Sequence, residues 1–189
     1  MNGAKRAINI QISVEQLVKA SQNGDRQAFD ELVWLYQNRA LRLAVRITGD
    51  GHEAAEAVQD GFVSAFVRIE KLREPAKFEG WLLRIVSNAA ISRLRASSRR
   101  IDRIRLADCD IKARADDPDS KEKIAELKMA IQLAMRKLSK KEAMAISLFG
   151  LDDLSHKQTA EIMGCSEGAA RWHVHKARKK LKKLLQDFM

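Results

Sequence analysis

The 189-residue chain contains little that would cross-link it, bind a metal or hold it in a membrane. It has two cysteines, Cys109 and Cys165, which are not spaced as metal ligands. His173 and His175 are two residues apart, so on a helix they point in different directions. No apolar run reaches the ~18 residues by which a membrane helix is recognised. We therefore expect no metal site, no cofactor and no direct membrane insertion.

The chain is also poor in proline, with two residues, and in aromatic residues, which make up 5% of it. No segment of useful length alternates apolar and polar residues as a half-buried strand does. The abundance of Ala, Leu, Lys, Arg and Glu instead favours an all-α protein. The N-terminal segment MNGAKRAINIQIS has too few apolar residues for a signal peptide, so we expect a cytoplasmic protein.

Positive charge is in excess and is unevenly distributed. The formal net charge is +10, to which residues 1–95 contribute +3, residues 96–120 nothing and residues 121–189 +7. Such a chain favours an acidic polymer or a membrane surface as its partner. The middle block lacks a sustained apolar period, and we interpret it as a flexible charged linker. The sequence thus predicts two helical domains, residues 1–95 and 121–189, joined by residues 96–120.

The segment from residue 154 to residue 183 has the pattern of a helix-turn-helix. Ser155 and Gln158 form a capping box ahead of a short helix, and Gly164 suits a left-handed C-terminal cap. Ser166 can cap a second helix, along which four apolar residues recur at helical spacing. This stripe consists of Ala170, Val174, Ala177 and Leu181. The C-terminal domain is therefore expected to contain a helix-turn-helix.

An ordinary helical hairpin has the same pattern, so the charge of the second helix has to distinguish the two interpretations. Between Gly168 and Gln186 there are seven basic residues and no acidic residue. A helix face that merely meets solvent usually mixes both signs, whereas a helix that contacts phosphates does not. We therefore predict that the second helix enters the major groove of DNA.

Capping and periodicity predict four helices in each domain. In the N-terminal domain the third is expected from about residue 52 to residue 69 and the fourth from Phe78 to Arg95, with a loop at residues 70–77 between them. Helix-capping residues are Ser13 with Gln16, Asp25, and Ser139 with Glu142. The inward face of the first helix of the C-terminal domain is expected to include Ile124, Leu127, Ile131, Met135 and Leu138.

Three segments of the chain resemble those of an extracytoplasmic-function sigma factor. EAAEAVQDGFVSAF, residues 53–66, is similar to the acidic helix of that family, although Gly61 stands where a larger residue is usual. FEGWLLRIVSNAAISRLR, residues 78–95, resembles its Phe-x-x-Trp-Leu helix. Residues 138–184 resemble its C-terminal domain, with Ala-Glu-Ile-x-Gly-x-Ser at residues 160–166. The segments occur in the family's order.

The resemblance implies a sigma factor that directs core RNA polymerase to specific promoters and promotes strand opening, in a stress or envelope response. Promoter DNA would be a partner, and an anti-sigma factor is a further expected partner. The acidic third helix would dock on the clamp of the largest polymerase subunit through Glu53, Glu56, Gln59 and Asp60. Without the resemblance, a solvated acidic helix face would be the favoured interpretation of the same residues.

The resemblance also assigns the two promoter elements to different domains. The loop at residues 70–77 and the fourth helix would meet the −10 element through Lys71, Arg73, Lys77, Arg84, Asn88 and Arg95, with Arg93 as a further phosphate contact. The last helix would meet the −35 element as duplex DNA through Arg171, Trp172, His175, Lys176, Arg178 and Lys179. Three contacts stay open for Trp172: a thymine methyl group, the first helix of the helix-turn-helix, or a polymerase surface.

Other classes of protein fit the sequence less well. A stand-alone transcription regulator would share the helix-turn-helix but would bind its promoter tightly without polymerase. A protein that sequesters a partner needs no basic groove-binding helix. The chain is not expected to be an enzyme, because it shows no nucleophile, paired-carboxylate, metal or phosphate-loop arrangement at a plausible spacing.

Overall fold

Helices make up the described part of the chain. The computed structural model describes residues 13–107, 121–151 and 154–186, and within these ranges it contains α-helices, two short 3-10 turns and no strand. The helices there are α1 (Val14–Gln22), α2 (Arg26–Thr48), α3 (Gly51–Arg68), α4 (Phe78–Ala107), α5 (Lys121–Lys137), α6 (Lys140–Phe149), α7 (His156–Met163) and α8 (Glu167–Leu184). The 3-10 turns, Ile69–Lys71 and Pro75–Lys77, lie between α3 and α4. The all-α prediction is confirmed, and none of these helices is long and apolar enough to span a bilayer.

Short-range capping fixes where several helices begin and end. The predicted capping boxes are present at Ser13, Ser139 and Ser155, where each hydroxyl accepts a hydrogen bond from the backbone N–H three residues on. The side chain that returns the hydrogen bond is a glutamine in α1 and α7, but a glutamate, Glu142, in α6. Left-handed glycines with φ of 66° end α2 and α7, at Gly49 and Gly164.

Helix α4 is longer than the sequence indicates. Its expected end at Arg95 is wrong, because the helix continues to Ala107 through the first twelve residues of the predicted linker. That segment, ASSRRIDRIRLA, has a weak apolar period, but Ala, Arg and Leu have high intrinsic helix propensity. The rest of the predicted linker, residues 108–120, lies outside the described residues, as does Cys109.

The N-terminal domain, α1–α4, has its core where α2, α3 and α4 pack together. Leu32, Leu43 and Leu82 are completely buried there. Helices α3 and α4 cross closely at Gly61, where an added Cβ would lie 2.7 Å from Cγ2 of Val86. The larger residue that is usual at this position in sigma factors would therefore not fit between these two helices without displacing one of them.

The C-terminal domain, α5–α8, has its core among α6, α7 and α8, with Leu148 and Val174 buried. The apolar stripe predicted for α8 faces this core, since Ala170 and Ala177 are completely buried. Helix α5 differs from the prediction. Met135, near its C-terminal end, and Leu138, directly after it, are buried, but three residues expected on the inward face are exposed, namely Ile124 (66% exposed), Leu127 and Ile131. Periodicity shows that a helix has an apolar face but does not show whether a neighbour covers it.

The two domains pack against each other through α2 and α4 on one side and α6 and α7 on the other. Two arginines of the N-terminal domain lie at the C-terminal ends of helices in the other domain. A Cβ on Gly164, at the end of α7, would lie 2.7 Å from Nη1 of Arg84. The guanidinium of Arg46 occupies the space that a side chain at Gly150, at the end of α6, would need. Cations at helix C-termini are favourable because of the helix dipole.

Candidate nucleic-acid interface

The helix-turn-helix is formed by α7 and α8 and a tight turn between them. Gly164 adopts the left-handed conformation that lets the chain reverse, and the N–H of Cys165 donates to the carbonyl oxygen of Ala160 at 3.0 Å. Two residues on, the hydroxyl of Ser166 accepts from the N–H of Ala169 and begins α8. With its apolar stripe buried, α8 presents its opposite face to solvent.

All six residues predicted to contact the −35 element lie on the exposed part of α8: Arg171, Trp172, His175, Lys176, Arg178 and Lys179. Some of them have partners within the protein. Arg171 donates to Glu167 at 3.0 Å, one turn earlier on the same helix. Arg178 lies over the ring of Phe149, with 4.9 Å between the guanidinium carbon and the ring centroid. Phe149 ends α6, so this contact holds one flank of α8 against α6.

Trp172 occupies the middle of the exposed face of α8. Its side chain is 54% exposed, and its indole makes an edge contact with the ring of His173 at 4.9 Å. The ammonium of Lys176 lies 4.3 Å from the centroid of the indole. With more than half of its surface open to solvent, the indole is available to a thymine methyl group or a polymerase surface. The ring contacts that the structure gives the indole are both with residues of α8 itself, so its three expected contacts, including packing on α7, stay predictions.

Glu142 contacts the basic residues of α8, although the sequence indicated only a helix-capping role for it. Its side chain is 2% exposed and accepts from Nζ of Lys180 at 2.7 Å and from the backbone N–H of Ser139 at 2.8 Å. Nζ of Lys176 lies 3.7 Å from its other oxygen. Burial raises the pKa of Glu142, but the hydrogen bonds from Lys180 and Ser139 outweigh burial and hold the pKa below its usual 4.5. The carboxylate is therefore ionised and placed beside two lysines of α8.

The residues predicted to contact the −10 element divide into two groups. Arg73, Lys77 and Arg84 line a groove of about 520 Å³ between the two domains. Its far wall is formed by residues of α7 and the segment before it, among them Ile162. The other three candidates do not line this groove; Lys71 and Arg95 are exposed, and Asn88 is half-buried on α4.

Charged groups in the groove are mostly paired with one another. Lys77 pairs with Glu74 at 2.7 Å, and Arg39 pairs with Glu79. Sequence reasoning did not single out Arg39, because it stands on α2, forty residues before its partner. Trp81 also lines the groove and packs against the buried ring of Phe78 at 6.0 Å, as expected of a residue at the edge of the core.

The acidic face of α3 is tied to α4 by one arginine. Arg93 lies 3.5 Å from Glu53, 3.2 Å from Glu56 and 2.8 Å from Asp60. The fourth candidate for polymerase binding, Gln59, is exposed. The expectation that Arg93 contacts phosphate does not agree with this position, because a guanidinium surrounded by three carboxylates is a poor site for another anion.

Comparison with known proteins identifies the family. Residues 32–100 match Sigma-70 region 2, and residues 128–181 match Sigma-70, region 4. The RNA polymerase sigma-H factor of Pseudomonas aeruginosa is 30% identical over 188 residues, covering 93% of this chain and 95% of that protein. The ECF RNA polymerase sigma-E factor of Haemophilus influenzae is 30% identical over 187 residues, covering 95% and 98%. The chain belongs to the extracytoplasmic-function sigma factors.

Solved structures agree with this sigma factor in fold. CnrH, in complex with the cytosolic domain of CnrY, superimposes with a TM-score of 0.61 at 22% identity, covering 93% of this chain and 99% of that one. The sigma factor RpoE from Bartonella quintana, in complex with the anti-sigma factor NepR, gives a TM-score of 0.55 at 24% identity, covering 84% and 96%. The two-domain helical architecture is therefore shared.

Family membership gives this sigma factor its activity, which is to direct core RNA polymerase to specific promoters and to promote strand opening there. Sigma factors are transcription initiation factors. The predicted family and its general function are thus confirmed. The assignment of individual residues to promoter DNA and to polymerase stays a prediction.

Proposed function

We propose that α8 recognises the −35 element as duplex DNA through its exposed face. The observation that carries this proposal is the exposure of all six candidates, on the second helix of a capped helix-turn-helix whose apolar stripe is buried at Ala170, Val174 and Ala177. Helices in this position enter the major groove, where Arg and Lys donate to guanine and apolar groups contact the thymine methyl. Arg171, Trp172, His175 and Lys176 are assigned to bases, and Arg178 and Lys179 to phosphates.

The N-terminal domain is proposed to bind the −10 element and polymerase. The loop between α3 and α4 carries Lys71, Arg73 and Lys77, and α4 adds Arg84, Asn88 and Arg95. On the N-terminal domain's side of the groove, Arg73, Lys77, Arg84 and Trp81 offer cations and an aromatic ring to a base that has left the stack, whose unstacking costs a few kcal/mol that the protein must offset.

The acidic face of α3 is proposed to dock on the polymerase clamp. Arg93 cancels one of the three charges of Glu53, Glu56 and Asp60, so two remain to orient a basic partner. Gln59 lies exposed beside them and adds a neutral hydrogen-bonding group.

Promoter binding is proposed to separate the two domains. The names of the −10 and −35 elements give their positions relative to the transcription start, which are about 25 base pairs apart. At 3.4 Å per base pair this separation is about 85 Å. In the packed arrangement Ile162 of α7 lies against Gly80 of α4, where an added Cβ would be 3.4 Å from its Cγ1. Domains in such contact do not span that distance, so their interface would open on the promoter.

The protein is proposed to act in the cytoplasm with core polymerase, in a stress or envelope response, and to be held by an anti-sigma factor until needed. Support for the last point comes from RpoE of Bartonella quintana, whose solved structure contains the anti-sigma factor NepR.

The test of the proposed function is run-off transcription with purified bacterial core polymerase on a library of genomic fragments. Start sites that need the protein and share two upstream elements would support it. Arg178→Ala should then lower transcription from all of these promoters alike, whereas Arg171→Ala should also change which −35 sequences are used. No new start sites, together with tight duplex binding by the protein alone, would favour the stand-alone regulator.

A further inference from the structure

Three capping boxes lie in the described part of the chain, and they differ in the side chain that accepts from the N-cap backbone N–H. Gln16 and Gln158 complete those of α1 and α7, and both are exposed. Glu142 completes that of α6 and is 2% exposed. A capping box requires only an acceptor for one backbone N–H, which a glutamine supplies as well as a glutamate. A carboxylate gains further from the dipole of α6, but neither capping nor the dipole requires that the charge be buried.

The burial of this charge is explained by two lysines of α8 that face it. Lys176 and Lys180 are four residues apart on that helix and both reach the Glu142 carboxylate, Lys180 at 2.7 Å and Lys176 at 3.7 Å. A long lysine side chain without such a partner samples many conformations on the surface. Ordering it on DNA then costs conformational free energy. A carboxylate buried in the domain core is a fixed point, and it limits these conformations before DNA arrives.

The placement of Lys176 extends this order to Trp172. The ammonium of Lys176 lies between the Glu142 carboxylate and the face of the indole, 4.3 Å from the ring centroid. An ammonium has three donors, and the Lys176 side chain is still 45% exposed, so donors remain for a base edge. The series Glu142–Lys176–Trp172 thus runs from the core to the middle of the exposed face of α8.

We propose that Glu142 is a positioning residue that sets the −35 specificity of this sigma factor by fixing Lys176 over Trp172 and drawing Lys180 away from the phosphates. The inference rests on the proposed recognition of the −35 element by α8. A basic helix has two separable properties, its affinity for DNA of any sequence and its preference among sequences. Affinity for any DNA follows the number of free cations, whereas preference among sequences requires that donors and apolar groups be held in register with the bases.

The decisive variant is Glu142→Gln, which preserves the capping box in the form found in α1 and α7 and removes the charge. Holoenzyme assembled from the full chain and bacterial core polymerase is tested on a promoter library with a randomised −35 element. We expect the ratio between preferred and disfavoured sequences to fall by about 5–10-fold, the low end of the effect of one base contact. Binding of the full chain to non-promoter duplex should strengthen, and its salt dependence should steepen by about 0.9 for each lysine released.

The matched control is Glu126→Gln, which makes the same change of charge at an exposed position of α5, outside the groove, and should leave the −35 preference unchanged. If Glu142→Gln keeps the wild-type preference, or loses preference and non-specific binding together, Glu142 has a structural role alone and the inference is overturned. If the wild-type protein itself shows no −35 preference, the failure lies in the proposed function.

A measurement on the wild-type chain tests the inference even if Glu142→Gln does not fold. Partial acetylation of the free protein, read by mass spectrometry, should modify Lys176 and Lys180 several-fold more slowly than Lys179 and Lys182, because an ammonium group held at the Glu142 carboxylate must leave it before the reagent can reach it. Equal rates at the four lysines would overturn the inference without any substitution.

Discussion

The acidic face of α3 and the basic face of α8 are each organised by one opposite charge on a neighbouring helix. On α3, three carboxylates share Arg93 of α4; on α8, two lysines share Glu142 of α6. The two centres differ in exposure, since the Arg93 side chain is 28% exposed and that of Glu142 is 2% exposed. Water and salt screen the cluster around Arg93, whereas burial and the helix cap hold Glu142 in place.

This difference indicates how each face meets its partner. A screened cluster such as that around Arg93 guides a partner by charge and adapts to it, because its side chains are free to rearrange. A buried anchor such as Glu142 gives its lysines defined positions, as sequence recognition requires. Four predictions test this contrast, in order of decreasing effect.

The largest effect is expected for Glu142→Ala, which removes both the returning hydrogen bond of the cap and the partner of Lys180. We expect a loss of about 2 kcal/mol in the free energy of unfolding, measured by urea denaturation of the full chain. Glu142→Gln should cost about half as much, because the cap persists. Equal losses for the two variants would show that the cap contributes nothing here.

Gly61→Ala should be destabilising although alanine is the better helix former. The new Cβ would meet Cγ2 of Val86 at 2.7 Å, in a core where overpacking costs ~1–3 kcal/mol against a gain of ~1 kcal/mol in helix propensity. A net loss of about 1 kcal/mol is expected by thermal denaturation. Gly51→Ala is the control within α3, because nothing lies within 4 Å of its added Cβ and the variant should be neutral or slightly stabilising.

Arg93→Gln should change stability by less than ~1 kcal/mol, because ion pairs that water still reaches are screened and contribute little. The remaining effect should disappear in high salt, whereas the cost of Glu142→Gln should persist there. Urea denaturation of both variants at low and high ionic strength provides the comparison. A salt-insensitive loss for Arg93→Gln would show that the α3 cluster is as rigid as the Glu142 site.

The smallest effect is the pH dependence of the Glu142 contribution. Because its pKa in the folded protein lies below the usual 4.5, its stabilisation is fully present above pH 4.5 and is lost as the pH falls through the folded value. The difference in stability between wild type and Glu142→Gln should therefore shrink on acidification below pH 4.5. Burial and the nearby Lys141 lower the pKa of His173 from its usual 6.5, and Glu142 opposes this shift. Acid therefore weakens the fold through His173 slightly more in the variant than in the wild type.

Much of the fold was predictable because its signals are local. Ser155 and Gln158 are three residues apart, and the stripe from Ala170 to Leu181 repeats within single turns, so neither depends on the rest of the structure. The exposed face of α8 followed from the same stripe. The end of α4 was not predictable in this way, because Arg95 carries no stop signal and the following residues have good helix propensity without a clear apolar face.

The candidate site was predictable as a set of positions but not as a set of contacts. Glu142 looked like a cap, and Arg93 looked like a phosphate ligand. Their partners, Lys180 and Asp60, are 38 and 33 residues away in the chain. No periodicity links residues at such separations.

The sequence by itself determined the helices, their caps, the basic exposed face of α8 and membership of the sigma family, because each depends on residues within a few positions of one another or on motifs in a fixed order. The tertiary structure alone decided which charges meet, how closely α3 crosses α4 at Gly61 and that the groove residues of the two domains face each other. Coulomb interactions and steric contacts depend on distance in space, and only packing brings residues distant in sequence to within a few ångströms.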